Sequence, residues 1–487
     1  MQGSHGRVVI VGADGLRPDL FDPDLMPNAA ALIAGGTWFA DHHAVYPSHT
    51  RVNASSLATG TSPGRHGIVA NTMLVEDARD DHIIDTGQYE HLDALAASQG
   101  RAQLVTSLSD ILAARGERLA VAGTGSAGSN VLWTFNQRGR IVNPSSAFGI
   151  ADLYDLRDKL GPVPDRAATS ADRSAYATSA VTDLYLPDPS IRVMTLWLAE
   201  PDSALHRYGL GSPESIAAMR DVDFRIGEVV ATLDRLGIRD QTDIVVISDH
   251  GHSTVRTHRT LREYLADARR DLGGHLPDLA TASDFIYAMP GSTEPTVAQL
   301  APLVEWLDAQ PWVDVMAGGL DGTARLPGVI PLRALWNGET NARRPLLAVS
   351  PSWSEAVNEF GVPGTVSALT TQSALRSSHG SLSPYEMHAT LVASGPSFRE
   401  GMVSTTPTSA MDLVPTILSI FGIDASGPID GRILTEAMAN GDGTAPAVET
   451  TVLAPDTPGA RPRSIVLHRI AGTTVVHGSA QSTPRLP

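Results

Sequence analysis

The sequence predicts an α/β layered sandwich with a mostly parallel central sheet, and three observations carry that reading. Short apolar runs alternate with amphipathic stretches along the chain, as strands do when covering helices connect them. The runs are nearly continuous rather than alternating, which suits strands buried on both faces. Three of them end in an acidic residue, at Asp14, Asp202 and Asp249, and an open parallel sheet binds its ligands at the carboxyl ends of its strands.

Taken in chain order, RVVIVGADG from Arg7 is the first predicted strand, and SLSDILAARG from Ser107 is a helix whose apolar residues recur at three and four. VMTLWLAEPD from Val193 is a second strand, ESIAAMRDVDFRIGEVVATLDRLG from Glu214 a long helix, and DIVVISDHGH from Asp243 a third strand. From about Thr260 to Ala374 the pattern loosens into shorter pieces and turn signals such as MPGSTEP and PGVIP, which predicts an inserted cap over the strand ends. ATLVASGPSF reads as a fourth strand and AMDLVPTILSIFGI as a closing helix. The stretch from Gly443 to Arg463, rich in Pro, Thr and Ala, reads as a flexible connector, with SIVLHRIAGTTVVHG beyond it as an edge hairpin. The expected division is therefore a core in two parts, 1–259 and 375–440, an inserted cap, 260–374, and a connector and tail, 441–487.

At 487 residues the chain can bury a large core, and 42% hydrophobic with 18% charged residues is an ordinary globular balance. A formal charge of −17 argues against a nucleic-acid duplex or an anionic membrane as partner, since both require a basic footprint. It leaves room for a small phosphorylated substrate, because bound cations reverse the field locally. With no cysteine, disulfides, thiolate metal sites and cysteine nucleophiles are excluded. The first residues lack the apolar core of a secretory signal, and no apolar run reaches the ~18 residues of a membrane span. A cytoplasmic location is expected, with a processed secreted form as the alternative; the oligomeric state is left open.

Asp202 and His206 stand at i, i+4 in EPDSALHRYG, on one face of a helical turn. Asp249 and His250 are adjacent at a strand end, and His379 follows in SSHGS. Singly these are a helix start, an Asx turn and a loop histidine. Together, on one edge of one predicted sheet, oxygen and imidazole groups without sulfur suit zinc or manganese, and their number suits two ions.

The motifs VVIVGADGLRPDLF, SHTRVNASSLATGTSPGRHGI, EPDSALHRYG, SDHGH and SHGSLSPYEMHATLVASGPSF, spread from Val8 to about Ile423, resemble the alkaline phosphatase superfamily in its type I phosphodiesterase and nucleotide pyrophosphatase branch. The resemblance implies an alkaline-phosphatase-like sandwich and a metal-dependent hydrolase with two divalent ions, zinc foremost. It implies Thr50 as nucleophile and Asn53 as donor to a phosphoryl oxygen. Asp14, Thr50, Asp249 and His250 would hold one ion, and Asp202, His206 and His379 the other. Arg51 and Val52 stand where the family has Phe and Pro, which weakens the case for a stacked nucleobase and makes Arg51 a candidate anion binder. Trp197 falls near a second stacking position and is a candidate platform, with core packing as the alternative. Ser55, Ser56 and Thr59 are assigned to packing and capping, Ser48 is left open, His252 and His388 are expected more in support than at the site, and Trp133 and Phe135 in the core. The expected reaction is phosphodiester or pyrophosphate cleavage through a phospho-threonine, with a phosphonoacetate-hydrolase-like or phosphomonoesterase activity, or an inactive zinc scaffold, as alternatives.

Overall fold

A computed structural model describes residues 6–137, 140–144, 158–165, 167–273, 276–367 and 374–480. Its main sheet contains β1 (Arg7–Ala13), β2 (Gly36–Phe39), β3 (Arg118–Gly123), β4 (Ile141–Val142), β5 (Ile191–Leu198), β6 (Thr242–Ile247), β7 (Leu391–Ser394) and β8 (Met402–Ser404). In space they run β8-β2-β7-β6-β1-β5-β3-β4. β1 lies in the middle, parallel to β5 on one side and β6 on the other. Its pleat sends Val8 and Ile10 to one core and Val9, Val11 and Ala13 to the other, which is why the run is apolar without a break.

Helices cover both faces: α1 (Thr50–Thr59), α2 (Leu108–Ala113) and α5 (Leu413–Ile420) on one side, α4 (Pro213–Leu236) on the other, with α3 (Asp202–Tyr208) at the strand ends. α4 begins with the Ser212 hydroxyl accepting from Ser215 N and Pro213 in its first turn, and stops at Gly237, whose φ of 65° is left-handed. Met219, Val222, Ile226, Val229 and Leu233 form its buried stripe.

β7, predicted among parallel strands, is antiparallel to β6 and to β2. A doubly buried run has no polar face to mark its direction, so sequence alone cannot orient it. Beyond β6, strands Leu279–Ala282, Phe285–Ala288, Leu347–Pro351, Val313–Gly318 and Val329–Pro331 form, in that spatial order, a separate sheet packed by helices Leu261–Asp271 and Val297–Asp308. Residues 368–373 of the predicted cap lie outside the described residues, as do 481–487 of the predicted tail.

The predicted connector departs from expectation, because Glu449–Leu453 is a strand paired to Ser464–Ile470, which pairs in turn to Thr473–Ala480. Glu449 to Val452 are all exposed, so no alternation betrays the strand. The resulting sheet packs Ile465, Leu467 and Val476 into the same cluster as Tyr46 and Leu382. No helix among the described residues is long and apolar enough to cross a membrane.

Gly12 pairs with Trp197 across β1 and β5, and a Cβ there would lie 2.1 Å from the indole. Gly12→Ala should therefore lower stability by ~1–3 kcal/mol through overpacking, read as an earlier urea midpoint at unchanged slope. Asp284, in the turn before Phe285–Ala288, is buried; burial first, then the charge of Glu386, raises its carboxyl to about 8. A raised carboxyl binds its proton more tightly in the folded chain, so its contribution is full below the ordinary carboxylate range and lost as pH rises through about 8. Unfolding free energy measured across that window should fall less steeply in Asp284→Asn than in the wild type.

Candidate active site

Asp14, Asp202 and Asp249 come together because their strands are neighbours. Asp14 follows β1, Asp249 lies just past β6, and Asp202 opens α3 just past β5. Asp202 N donates to Asp14 O at 2.9 Å, and Gly15 N donates to Asp249 Oδ1 at 3.2 Å. The Trp197 indole N–H donates to Asp14 Oδ2 at 3.0 Å, and leaves Asp14 Oδ1 buried without a hydrogen-bond partner. Asp249 Oδ2 is buried in the same condition. Orphaned carboxylate oxygens facing one another are costly unless a cation lies between them.

Imidazoles complete the cluster. His250 Nε2 lies 3.2 Å from Thr50 Oγ1, 3.5 Å from Asp14 Oδ1 and 3.4 Å from Asp249 Oδ2. Around Asp202 Oδ1 stand His206 Nε2 at 3.3 Å, His379 Nε2 at 3.5 Å and His252 Nε2 at 2.7 Å. The other ring nitrogen meets a backbone carbonyl in three cases: His250 Nδ1 with Gly251 O at 3.0 Å, His206 Nδ1 with Ser377 O at 2.7 Å, and His379 Nδ1 with Ser48 O at 2.7 Å. A carbonyl accepts only from N–H, so each ring carries a proton on Nδ1; His250 and His379 thereby turn an Nε2 lone pair inward, the form a metal takes, whereas Asp202 raises His206, whose Nε2 faces that carboxylate. Two sets of donor atoms lie within 4.8 Å of one another, Asp14 with Asp249 and His250, and Asp202 with His250, His252 and His379.

The electrostatics agree with that arrangement. Burial, then the charges of Asp249 and Asp202, pushes the Asp14 carboxyl well above its ordinary range, and burial raises Asp249. Burial would raise Asp202 as well, but His206 and His252 outweigh it and hold this carboxyl well below the ordinary value. Burial keeps His250 and His379 low, and His252 down to about 4, so these rings are neutral donors.

Thr50 is the first residue of α1, and beside it opens a cleft of about 670 Å³ lined by His49, Arg51, Asn71, Asp85, His206 and His379, among others. The Arg51 guanidinium is 3.8 Å from Asp85 and keeps a buried Nε without a hydrogen bond.

The sequence-predicted residues thus converge, with two corrections. The Asn53 side chain is fully buried and turned into the backbone: Oδ1 accepts from Val45 N at 2.8 Å and Nδ2 donates to His49 O at 3.1 Å. It braces the entry to α1 and cannot reach a phosphoryl group. Trp197 is 1% exposed, packs on Trp133 and orients Asp14, so it is no platform for substrate. Trp133 and Phe135 are core, as expected. Ser48 braces the His379 loop, its hydroxyl donating to Ser381 O and accepting from Gly380 N.

Two residues exceed what the sequence suggested. His252 belongs to the Asp202 cluster, whereas His388 lies away from it and bonds Ala40 O. Asn71 was missed: its Oδ1 accepts from Arg51 N at 3.1 Å, and it lines the cleft beside Thr50. No local spacing marks Asn71, since the chain leaves the site after α1 and returns only through the loop that carries it.

Residues 8–318 match the family described as type I phosphodiesterase / nucleotide pyrophosphatase. The chain is 26% identical over 266 residues to human ectonucleotide pyrophosphatase/phosphodiesterase family member 1, covering 54% of this chain and 25% of that protein. It is 22% identical over 434 residues to bis(5'-adenosyl)-triphosphatase enpp4 of Mus musculus, covering 86% and 78%. With venom phosphodiesterase 2 of Crotalus adamanteus it shares 25% identity over 264 residues, 53% of this chain and 28% of that one. The chain thus spans only about a quarter of the human and venom proteins. Among solved structures, an inactive variant of murine ectonucleotide pyrophosphatase/phosphodiesterase 5 in complex with AMP superposes with a TM-score of 0.59 at 19% identity, over 89% of this chain and 100% of that one. That likeness places the mixed, mostly parallel sheet in the alkaline-phosphatase-like fold. With its family match and its cluster of Asp and His at the strand ends, the chain belongs to the type I phosphodiesterase / nucleotide pyrophosphatase family.

Proposed function

We propose that this protein hydrolyses phosphodiester or pyrophosphate bonds with two divalent metal ions, zinc foremost, and a phospho-threonine intermediate on Thr50. The observation that supports this most is the Thr50 hydroxyl at 3.2 Å from His250 Nε2, beside Asp14 and Asp249, two carboxylates that burial and mutual repulsion leave in want of a cation. Asp14, Thr50, Asp249 and His250 are the residues to hold one ion, and Asp202, His206 and His379 those to hold the other. Such ions lower the pKa of a coordinated hydroxyl and offset charge on a phosphoryl group.

The chain's own residues supply positioning. Thr50 Oγ forms a bond to phosphorus as the bond to the leaving oxygen breaks, and water then takes the phosphoryl group from Thr50 with displacement in line. Asn71, its Oδ1 engaged by the Arg51 N–H, presents its amide donors to a non-bridging oxygen. His252 holds Asp202 in place. Asp249 is oriented by Gly15 N, and Asp14 by the Trp197 indole.

Arg51 favours a second reading. A guanidinium in the cleft next to the nucleophile suits a terminal, doubly charged phosphoryl or a substrate carboxylate, hence a monoester or a phosphonate of the phosphonoacetate type. Trp197 offers no stacking surface, so recognition of a nucleobase, of the kind suggested by the relatives' names, must come from elsewhere in the cleft.

Turnover of bis-nitrophenyl phosphate against nitrophenyl phosphate, with zinc supplied, separates the readings. Diester preference is expected, and Thr50→Ala should lower kcat by roughly 10³-fold or more; monoester preference, lost in Arg51→Ala, would establish the second reading. Failure to cleave either ester with metal bound would leave a phosphonate substrate or a binding scaffold. Asn71→Ala should cost ~10²–10³ in kcat, as removal of an oxyanion donor does, with Tm nearly unchanged. Asn53→Ala should instead lower Tm, and the opposite pattern would return the donor role to Asn53.

A further inference from the structure

Away from the cleft, a second group of titratable side chains meets where the segment before α1 approaches the last strand. His42 and His43 form a short strand that pairs with His388–Ala389 and with Thr408–Ser409, and His477 reaches them from the last strand, Thr473–Ala480. The His43 ring stacks on His388 at 5.3 Å and lies 5.0 Å from His477, and His468 is 5.5 Å beyond. Asp41 Oδ1 is 2.6 Å from His43 Nε2. None of these residues lines the cleft.

An Asp41–His43 hydrogen bond alone does not account for this cluster. His43 is fully buried, yet its Nδ1 has no hydrogen-bond partner, and the same holds for His477 Nδ1 and for Nε2 of neighbouring His42. With Nε2–H donating to Asp41, a neutral His43 leaves its Nδ1 lone pair buried and unpartnered, and a protonated one leaves a buried N–H without an acceptor; either is costly without a further partner. Burial in fact drives His43 down to about 4 and lowers His477, so both rings are neutral, as ligands must be. Asp41, His43 and His477 each offer one donor atom, and the three atoms lie within 4.8 Å of one another.

We propose that Asp41, His43 and His477 form a divalent-cation site outside the cleft, which fastens the C-terminal sheet to the strand that leads into α1. Two imidazoles and a carboxylate without sulfur suit zinc, with the fourth position left to water. His477 is only half-buried, which gives the ion and its water a path in. The site would join residues from opposite ends of the chain, a long loop whose closure is entropically costly in the unfolded state.

The test counts zinc. Protein stripped with chelator, reloaded with zinc and passed through gel filtration is analysed by plasma mass spectrometry, for wild type, His477→Gln and Asp41→Asn. One equivalent less in each variant than in the wild type, a smaller zinc-dependent rise in Tm, and unchanged nitrophenyl ester turnover are expected. Only the difference between chains matters, so the result does not depend on how many ions the cleft holds. Equal zinc content in wild type and variants, or an unaltered rise in Tm, would overturn the site. Should His477→Gln fail to fold, Asp41→Asn decides, since the Asp41 side chain is 26% exposed and the amide has the same shape.

Discussion

Three carboxylates of like charge, Asp14 and Asp249 buried and Asp202 half-buried, are brought together because three strands are neighbours, and the rest of the site answers that constraint. β1 runs between β5 and β6, so Asp14, Asp202 and Asp249 meet wherever those strands end. Their repulsion in a low-dielectric pocket is costly, and the formal charge of −17 over the chain does nothing to relieve it. His206 and His252 relieve it at Asp202 alone; the inward lone pairs of the other rings add no positive charge, so at Asp14 and Asp249 the relief is left to a cation. An anion-rich cluster of this kind is a poor structural device by itself and a good cation receptor.

The aim of those imidazoles comes from parts of the chain that carry no chemistry. Gly251 O, Ser377 O and Ser48 O each take an Nδ1 proton, so the backbone of three separate segments sets the tautomers. The hydrophobic core contributes through Trp197, whose ring lies against Gly12 and whose N–H holds Asp14. Asn53 likewise acts at one remove, tying Val45 to α1 so that Thr50 starts a helix at the cleft. Precision at the site therefore depends on packing that extends well into the sheet.

Much of this was legible in the sequence, and the failures share a cause. Asp14, Asp202 and Asp249 could be found because strand ends are visible as the limits of apolar runs, and His206 because α3 places it one turn after Asp202. Asn53 and Trp197 were misassigned because motif position says which residues are near the site, not which way a side chain points. Both turn inward, Asn53 to unsatisfied backbone groups and Trp197 into a core already holding Trp133. Asn71 escaped because tertiary folding alone brings its loop back to Arg51. The direction of β7 and the exposed strand at Glu449 escaped for the complementary reason, one buried on both faces and the other on neither, so neither carries an alternating pattern.

The two halves of the site are not equivalent, and the difference bears on how phosphoryl transfer would be divided between them. The Thr50 side holds two carboxylates, Asp14 and Asp249, against one close imidazole, and both carboxyls are pushed up. The other side holds one carboxylate among three imidazoles, and Asp202 is pulled down. A divalent ion on the Thr50 side would be nearly neutralised by its ligands and would be retained firmly. One on the Asp202 side would keep about one net positive charge, suited to an oxygen that gains negative charge as it leaves. Arg51 adds a further positive group on the cleft wall, partly offset by Asp85. On the proposed mechanism the chain would separate a tightly held nucleophile from a more electropositive departure side, an asymmetry that begins with which acidic residue ends which strand.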